Sequence, residues 1–271
     1  MKKQKAVIHL ILIFGSLFMV FPFIWMILTA LKTNSETLRI PAPFFPSHFQ
    51  WHTFIAVFQV LPFGQMYMNS IVSTVVIIIG QLIFCSTCAY GFARFDFPFK
   101  NTLFILILSV LMIPIPVFLL PQYIIMQKLN LLNSVPALFL PGIFSAFGTF
   151  LMRQFFMSIP KEIEEAAIMD GCNYFTVFLK IALPLAKPAL VSTSIFALLY
   201  GWNSLLWPLI VNTTQDKMTL TSGLATLNGQ YTTNYPMLMA GSVLAIIPLI
   251  LAFFIFQKQF IEGITLGGSK E

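Results

Sequence analysis

The sequence predicts an all-α integral membrane protein, a single transmembrane domain over residues 1–271 with six spanning helices and both termini in the cytoplasm. Three observations carry that reading. Hydrophobic residues make up 58% of the chain and charged ones 9%, with 30 phenylalanines, against roughly 25% charged in an ordinary soluble domain. The apolar residues gather into six runs, each near the ~20 residues that a helix needs to cross the hydrocarbon core. The basic residues are distributed unequally between the two sets of connections.

The first run, about Ala6 to Leu31, follows the basic flank Met1-Lys-Lys-Gln-Lys. A cleaved signal peptide would have an apolar core of only about 7–15 residues ending at a small-residue site. This run continues through Phe21-Pro-Phe-Ile-Trp-Met, so it is read as an uncleaved span. The second is Asn69 to Ala93. The third, Thr102 to Met126, contains Pro114, Pro116 and Pro121, each of which removes a backbone hydrogen bond and favours a kink. The fourth is Val135 to Met152. The fifth, Ala189 to Val211, carries Thr193, Ala197, Tyr200 and Ser204 at i, i+4, i+7 and i+11, with Ser192 and Asn203 beside them. That small and polar stripe must face protein or water rather than lipid, and it serves equally as a pathway lining or a packing seam. The sixth is Pro236 to Phe256.

Six spans leave both termini on one side. Eleven Lys/Arg (Lys2, Lys3, Lys5, Arg94, Lys100, Arg153, Lys161, Lys180, Lys187, Lys258 and Lys270) fall on the side of the termini, and Lys32, Arg39, Lys128 and Lys217 on the other. The excess places the termini and the 153–187 connection in the cytoplasm. The net charge of +6 is then a matter of topology and calls for no nucleic-acid partner. Of the two longer external connections, Thr33 to Met68 is rich in proline and aromatic residues and suits the membrane interface. Asn212 to Tyr235 is polar and threonine-rich.

Several function classes lose support. The spans hold essentially no charge away from their ends, whereas an ion-coupled carrier is expected to place acidic residues or histidine on its pathway. His9, His48 and His52 show no metal-ligand spacing. Cys85-Ser-Thr-Cys88 lies inside an apolar helix without the setting of a redox motif. Gly263-Ile-Thr-Leu-Gly-Gly268-Ser-Lys lacks the Gly-Lys-Ser/Thr order of a phosphate loop, so no nucleotide site is expected on this chain. No HExxH or GxSxG is present, and the chain reads as non-catalytic.

The one long polar stretch between apolar runs is Lys161 to Pro184. Pro160 suits a helix start, and Glu162, Glu164 and Glu165 complement the partial positive charge there. Gly171 suits a terminator, and Asn173 an N-cap for a second short helix. Ile163, Ala166, Ala167 and Asp170 share one face whose small residues allow close approach of another surface. Three glutamates in the first turn argue against a helix lying on the membrane, which would show an apolar face opposite Lys/Arg.

Glu165-Ala166-Ala167, three residues, Gly171, nine residues and Ile181-x-Leu183-Pro184 resemble the EAA loop of membrane permease subunits of binding-protein-dependent ABC importers. Met112-Ile-Pro-Ile-Pro, the stretch from Phe147 to Phe156, Trp202-Asn-Ser-Leu-Leu-Trp-Pro-Leu, Ala240-Gly-Ser-Val and the tail from Gln257 resemble the carbohydrate-uptake branch, and within it the second permease of a maltose-type system. Cys172 stands where alanine is frequent in the family.

The resemblance implies a type I ABC importer permease fold in a bacterial cytoplasmic membrane. It implies that the cytoplasmic EAA loop, 161–187, couples to a separate ATPase dimer that binds ATP and Mg, with no cofactor on this chain. Glu165, Ala166, Ala167, Asp170, Gly171, Ile181, Leu183 and Pro184 would form the coupling site, and Gly267 and Gly268 a tail at the ATPase interface. Further implied partners are a second homologous permease, an extracytoplasmic solute-binding protein, and a sugar that passes by alternating access. Tyr200, Asn203 and Trp207 are candidates on its pathway. The same scaffold with another cargo, such as a glycerol phosphate diester, and an independent channel or secondary carrier are the alternatives.

Overall fold

The computed structural model describes residues 2–228 and 233–266, with side chains described as far as residue 257. Apart from an isolated bridge between Asn228 and Thr233, these residues form helices, turns and connections. In chain order the α-helices are α1 (Lys2–Ala30), α2 (Asn34–Thr37), α3 (Thr53–Val60), α4 (Phe63–Arg94), α5 (Lys100–Ser109), α6 (Ile115–Lys128), α7 (Val135–Phe139) and α8 (Ala146–Ser158). There follow α9 (Lys161–Met169), α10 (Tyr174–Val177), α11 (Leu183–Leu185), α12 (Lys187–Trp202), α13 (Leu206–Val211), α14 (Leu220–Ala225) and α15 (Tyr235–Leu266).

Three helices are individually long and apolar enough to cross a membrane: Val7–Ala30, Phe63–Arg94 and Tyr235–Gln257. Three bent pairs bring the number to as many as six. Lys100–Met112 and Ile115–Lys128 meet at 106°, Val135–Gly142 and Ala146–Ser158 at 43°, and Tyr174–Leu185 and Lys187–Trp202 at 77°. The first bend falls at Pro114 and Pro116, as the missing amides require. The stretch 189–211, read from the sequence as one run, is interrupted: α12 stops at Trp202 and α13 starts at Leu206. Asn203 ends α12, its side-chain amide donating to the Leu199 carbonyl at 2.9 Å, which satisfies one of the open carbonyls of the last turn.

The chain divides into two units. The first, Met1–Gly64 with Gly223–Ile250, contains α1, whose apolar window is 0% buried within the chain. Its connection at 33–47 is organised by Glu36. The carboxylate accepts from the Thr33 amide at 2.8 Å, the Thr33 hydroxyl at 3.0 Å and the Ser47 amide at 2.9 Å. Together with the bond from the Glu36 amide to Thr33 Oγ1 this is a capping box that also ties down a residue eleven positions away. Hydrogen bonds from Ser47 and Thr33 hold the Glu36 pKa down at about 2.

The second unit, Gln65–Ser222 with Leu251–Glu271, has two buried clusters. Ala89, Tyr90, Met152, Phe156, Ile159, Phe178, Ala182, Ala186 and Ala189 form one; Met126, Ala137, Leu138, Trp207 and Val211 form the other. Small residues set the close approaches. A Cβ on Gly80 would stand 2.7 Å from Ile143 Cβ, and one on Gly201 3.1 Å from the Thr74 backbone, so α4 packs there without room for a methyl group.

Candidate functional site

α9 runs from Lys161 with Pro160 as its N-cap residue. It ends in a Schellman motif: Gly171 N–H donates to the Ile168 carbonyl at 2.9 Å and Cys172 N–H to the Ala167 carbonyl at 3.0 Å. Gly171 has φ +88°, the left-handed region that a side chain disfavours. Nothing lies within 4 Å of a Cβ built there, so the constraint is the backbone and not the space. Asn173 then caps α10, its Oδ1 accepting from the Thr176 amide at 2.8 Å. The chain continues through a π-turn at Phe178–Ala182, where Leu183 N–H reaches back to the Phe178 carbonyl. This wide turn comes directly before Pro184, a residue without an N–H to continue an α-helical ladder. The bend of 77° follows Leu185, one residue beyond Pro184.

The segment is moored by one side chain. Glu164, 5% exposed, receives Arg94 Nε at 2.8 Å, Arg94 Nη2 at 2.8 Å and the Tyr90 hydroxyl at 2.8 Å. Arg94 Nη2 also donates to the Ile159 carbonyl at 3.0 Å, so one guanidinium joins α4 to both ends of the turn that leads into α9. Phe156 and Phe178 pack around Tyr90 with ring centroids 5.4 and 4.9 Å away. The ion pair therefore sits in apolar surroundings, where its partners must satisfy one another. Sequence reasoning gave Glu164 only a helix-dipole role. The signal that could have found it is Tyr90 and Arg94, one turn apart at the end of an apolar helix, both able to donate to a carboxylate.

The same mooring decides what α9 presents. Glu165, Ala166, Asp170 and Ile163 are exposed. Ala167 is not: it is 9% exposed, because it lies three residues after Glu164 and shares the inward face. The expected outward face of Ile163, Ala166, Ala167 and Asp170 is thus corrected by one member. Ile181 and Leu183 are half-buried and Pro184 is exposed; Leu183 packs on the Tyr90 cluster. Gly267 and Gly268 lie outside the described residues.

The three pathway candidates separate. Tyr200 and Asn203 are exposed. Trp207 is 8% exposed, with its indole N–H donating to the Ala137 carbonyl at 2.8 Å. It is a core residue of the Met126–Val211 cluster, since a buried indole needs an acceptor and finds a protein one. In the stripe on α12, Ser192, Thr193 and Ala197 are buried, which makes that part a packing seam.

Residues 81–265 match the family model described as binding-protein-dependent transport system inner membrane component. The chain is 38% identical to the arabinooligosaccharides transport system permease protein AraQ of Halalkalibacterium halodurans, over 99% of both chains. It is 30% identical to the diacetylchitobiose uptake system permease protein NgcG of Streptomyces coelicolor, over 98% of this chain and 89% of that protein. It is 32% identical to the sn-glycerol-3-phosphate transport system permease protein UgpE of Yersinia pestis, over 95% and 94%. A chain of a bacterial ABC transporter that imports the acidic polysaccharide alginate has the same fold, with a TM-score of 0.80 at 24% identity, over 95% of this chain and 96% of that one.

Proposed function

We propose that this chain, which belongs to the family of binding-protein-dependent transport system inner membrane components, is a permease subunit of an ATP-driven importer for a sugar or oligosaccharide. It acts in a bacterial cytoplasmic membrane beside a second permease. An extracytoplasmic binding protein delivers the solute, and a separate ATPase dimer supplies the energy through α9. One observation carries the coupling role: a short helix, closed at its C-terminus by a Schellman motif and moored by a buried ion pair, leaves Glu165, Ala166 and Asp170 exposed on its outer face. The likeness to AraQ over 99% of both chains supports a pentose oligosaccharide as cargo.

In this reading the push of the ATPase on α9 enters the bundle by two routes. The covalent route runs through the π-turn and the 77° bend into α12. The second runs from Glu164 through Arg94 and Tyr90 into α4, which has no sequence continuity with α9. The Trp207 indole is held inside the packing, so solute contacts on this chain come from exposed groups such as Tyr200 and Asn203, not from Trp207.

The likeness to UgpE favours a second cargo, a glycerol phosphate. A phosphate on the pathway calls for Arg or Lys, and α12 carries Lys187 alone, in its first turn. Proteoliposomes containing this chain, its partner permease, the ATPase and the binding protein distinguish the readings. Uptake of labelled arabino-oligosaccharide that needs ATP, and is lost in Glu165→Ala, is the expected result. Uptake of glycerol 3-phosphate alone would replace the sugar assignment. Uptake by the isolated chain without the ATPase would overturn the permease reading itself.

A further inference from the structure

In the first unit, a cavity of about 370 Å³ is lined by Trp25, Thr29, Lys32, Leu38, Arg39 and Tyr235 among others. Its polar groups share one character. Lys32 is 2% exposed and rests its ammonium 4.3 Å above the Trp25 ring. Arg39, an exposed residue, brings a second cation to the same space. Thr29 Oγ1 is buried with no hydrogen-bond partner among the described residues. The nearby acid, Glu36, does not line the cavity and turns its two oxygens to the Thr33 amide and hydroxyl and the Ser47 amide; its negative charge still acts on Lys32, and set against the two cations it leaves a net positive charge around the cavity. Two cations and an unused hydroxyl around a cavity without an acidic lining residue are arranged for an anion.

The surroundings are apolar. Phe21, Trp25, Phe44 and Phe45 form a chain of ring contacts with centroids 4.9 to 6.1 Å apart, and Phe21, Phe44 and Phe45 are exposed. α1, from which Trp25 and Thr29 project, presents an uncovered apolar surface. A soluble anion has no use for that surface; a headgroup attached to acyl chains has. The cavity stands at the end of α1, where a helix of membrane-spanning length reaches the depth of lipid phosphates.

We propose that this cavity holds the phosphate of an anionic phospholipid. Lys32 and Arg39 serve as its counter-cations, Thr29 as a hydroxyl donor, and the Phe21–Phe45 rings lie against the acyl-chain end. This site is independent of the coupling segment and of the cargo.

Native mass spectrometry of the full chain, carried from neutral detergent with equal amounts of phosphatidylglycerol and phosphatidylcholine, tests it. The wild-type chain is expected to retain phosphatidylglycerol in preference. The ratio of the two lipids should fall about fivefold in Lys32→Gln and in Arg39→Gln, the weight of one Lys or Arg against an anionic lipid. Equal retention of both lipids by the wild type would overturn the proposal, as would an unchanged ratio in the folded variants. Displacement of phosphatidylglycerol by millimolar inorganic phosphate would assign the site to a soluble anion and overturn the lipid. Should Lys32→Gln lose its helical circular dichroism, Arg39→Gln decides, because its side chain is exposed.

Discussion

The two ends of α4 each grip a polar segment, and they do so with different chemistry. Near its start, Asn69 Nδ2 donates to the Asp216 and Met218 carbonyls at 2.8 and 2.9 Å, and Ser70 Oγ accepts from the Leu220 amide at 2.7 Å. Every partner in that gripped segment is backbone. At its finish, Arg94 and Tyr90 hold the side chain of Glu164. A grip on backbone fixes the path of a segment whatever its sequence. A grip on one carboxylate fixes the rotation of a helix about its axis, and so selects which residues of α9 face outward. The segment proposed to bear on a partner is the one whose rotation is fixed.

Breaking the charged grip should have the largest effect. Glu164→Ala leaves the Arg94 guanidinium buried and unpaired, at a cost of about 3–5 kcal/mol. The expected outcome in thermal melts of the purified chain is a large loss of stability. Replacing both Glu164 and Arg94 with well-packed apolar residues should restore much of that stability but not coupled transport; recovery of transport as well would show that the rotation of α9 matters little.

The backbone grip should cost less. Asn69→Ala strips a donor from two carbonyls, about 2 kcal/mol at the usual ~1 kcal/mol per bond. Proteolysis should then report opening of the 212–222 segment while ATPase activity of the assembled complex stays near wild type. Equal damage to both functions would erase the distinction between the two ends.

Gly171→Ala tests the mooring from the far end of α9. The left-handed backbone at φ +88° makes the alanine cost about 1–2 kcal/mol, with no steric addition because the surroundings are open. Transport should fall further than stability if the direction of the chain after α9 matters. Trp207→Phe, away from both grips, leaves the Ala137 carbonyl unpaired and should cost about 1 kcal/mol. Uptake should keep its solute selectivity; a changed selectivity would return Trp207 to the pathway.

Glu36 offers a carboxylate gripped by neutral donors. Its folded pKa of about 2 lies below that of a free side chain, so its contribution to stability is fully present above pH ~4.5 and is lost as pH falls toward 2. Melts of wild type and Glu36→Gln should therefore differ at pH 7 and converge on acidification. A constant difference would mean that packing, and not the hydrogen bonds to the ionised form, holds the 33–47 connection.

Much of α9 and its caps was legible because those signals are local. Pro160, Gly171 and Asn173 act on neighbours within a turn; Gly171 and Asn173 occupy the boundary positions that their chemistry favours, and Pro160 stands one residue before the first helical position. Glu164 was not legible in its full role, because Arg94 lies 70 positions earlier and periodicity carries no information about such a pair. Trp207, a pathway candidate by resemblance alone, is buried with its N–H on the Ala137 carbonyl, a partner 70 positions away that no local signal reveals. The interruption at Asn203 was marked, by Asn203-Ser204 between Gly201 and Pro208, but those signals sit inside an apolar run long enough to be read as one span.

The π-turn at Phe178–Ala182 gives the segment a tolerance in length that is unevenly distributed. A turn of this kind holds one more residue than the α-helical turn it replaces, so deleting one residue there can be absorbed by reverting to α-helix. The same deletion between Glu165 and Asp170 has no slack to draw on and would rotate Asp170 by about 100° relative to Glu164's mooring, the angle of one α-helical step. The spacing between Glu164 and Gly171 therefore works as a ruler, while the spacing between Gly171 and Pro184 works as a spring with one residue of travel.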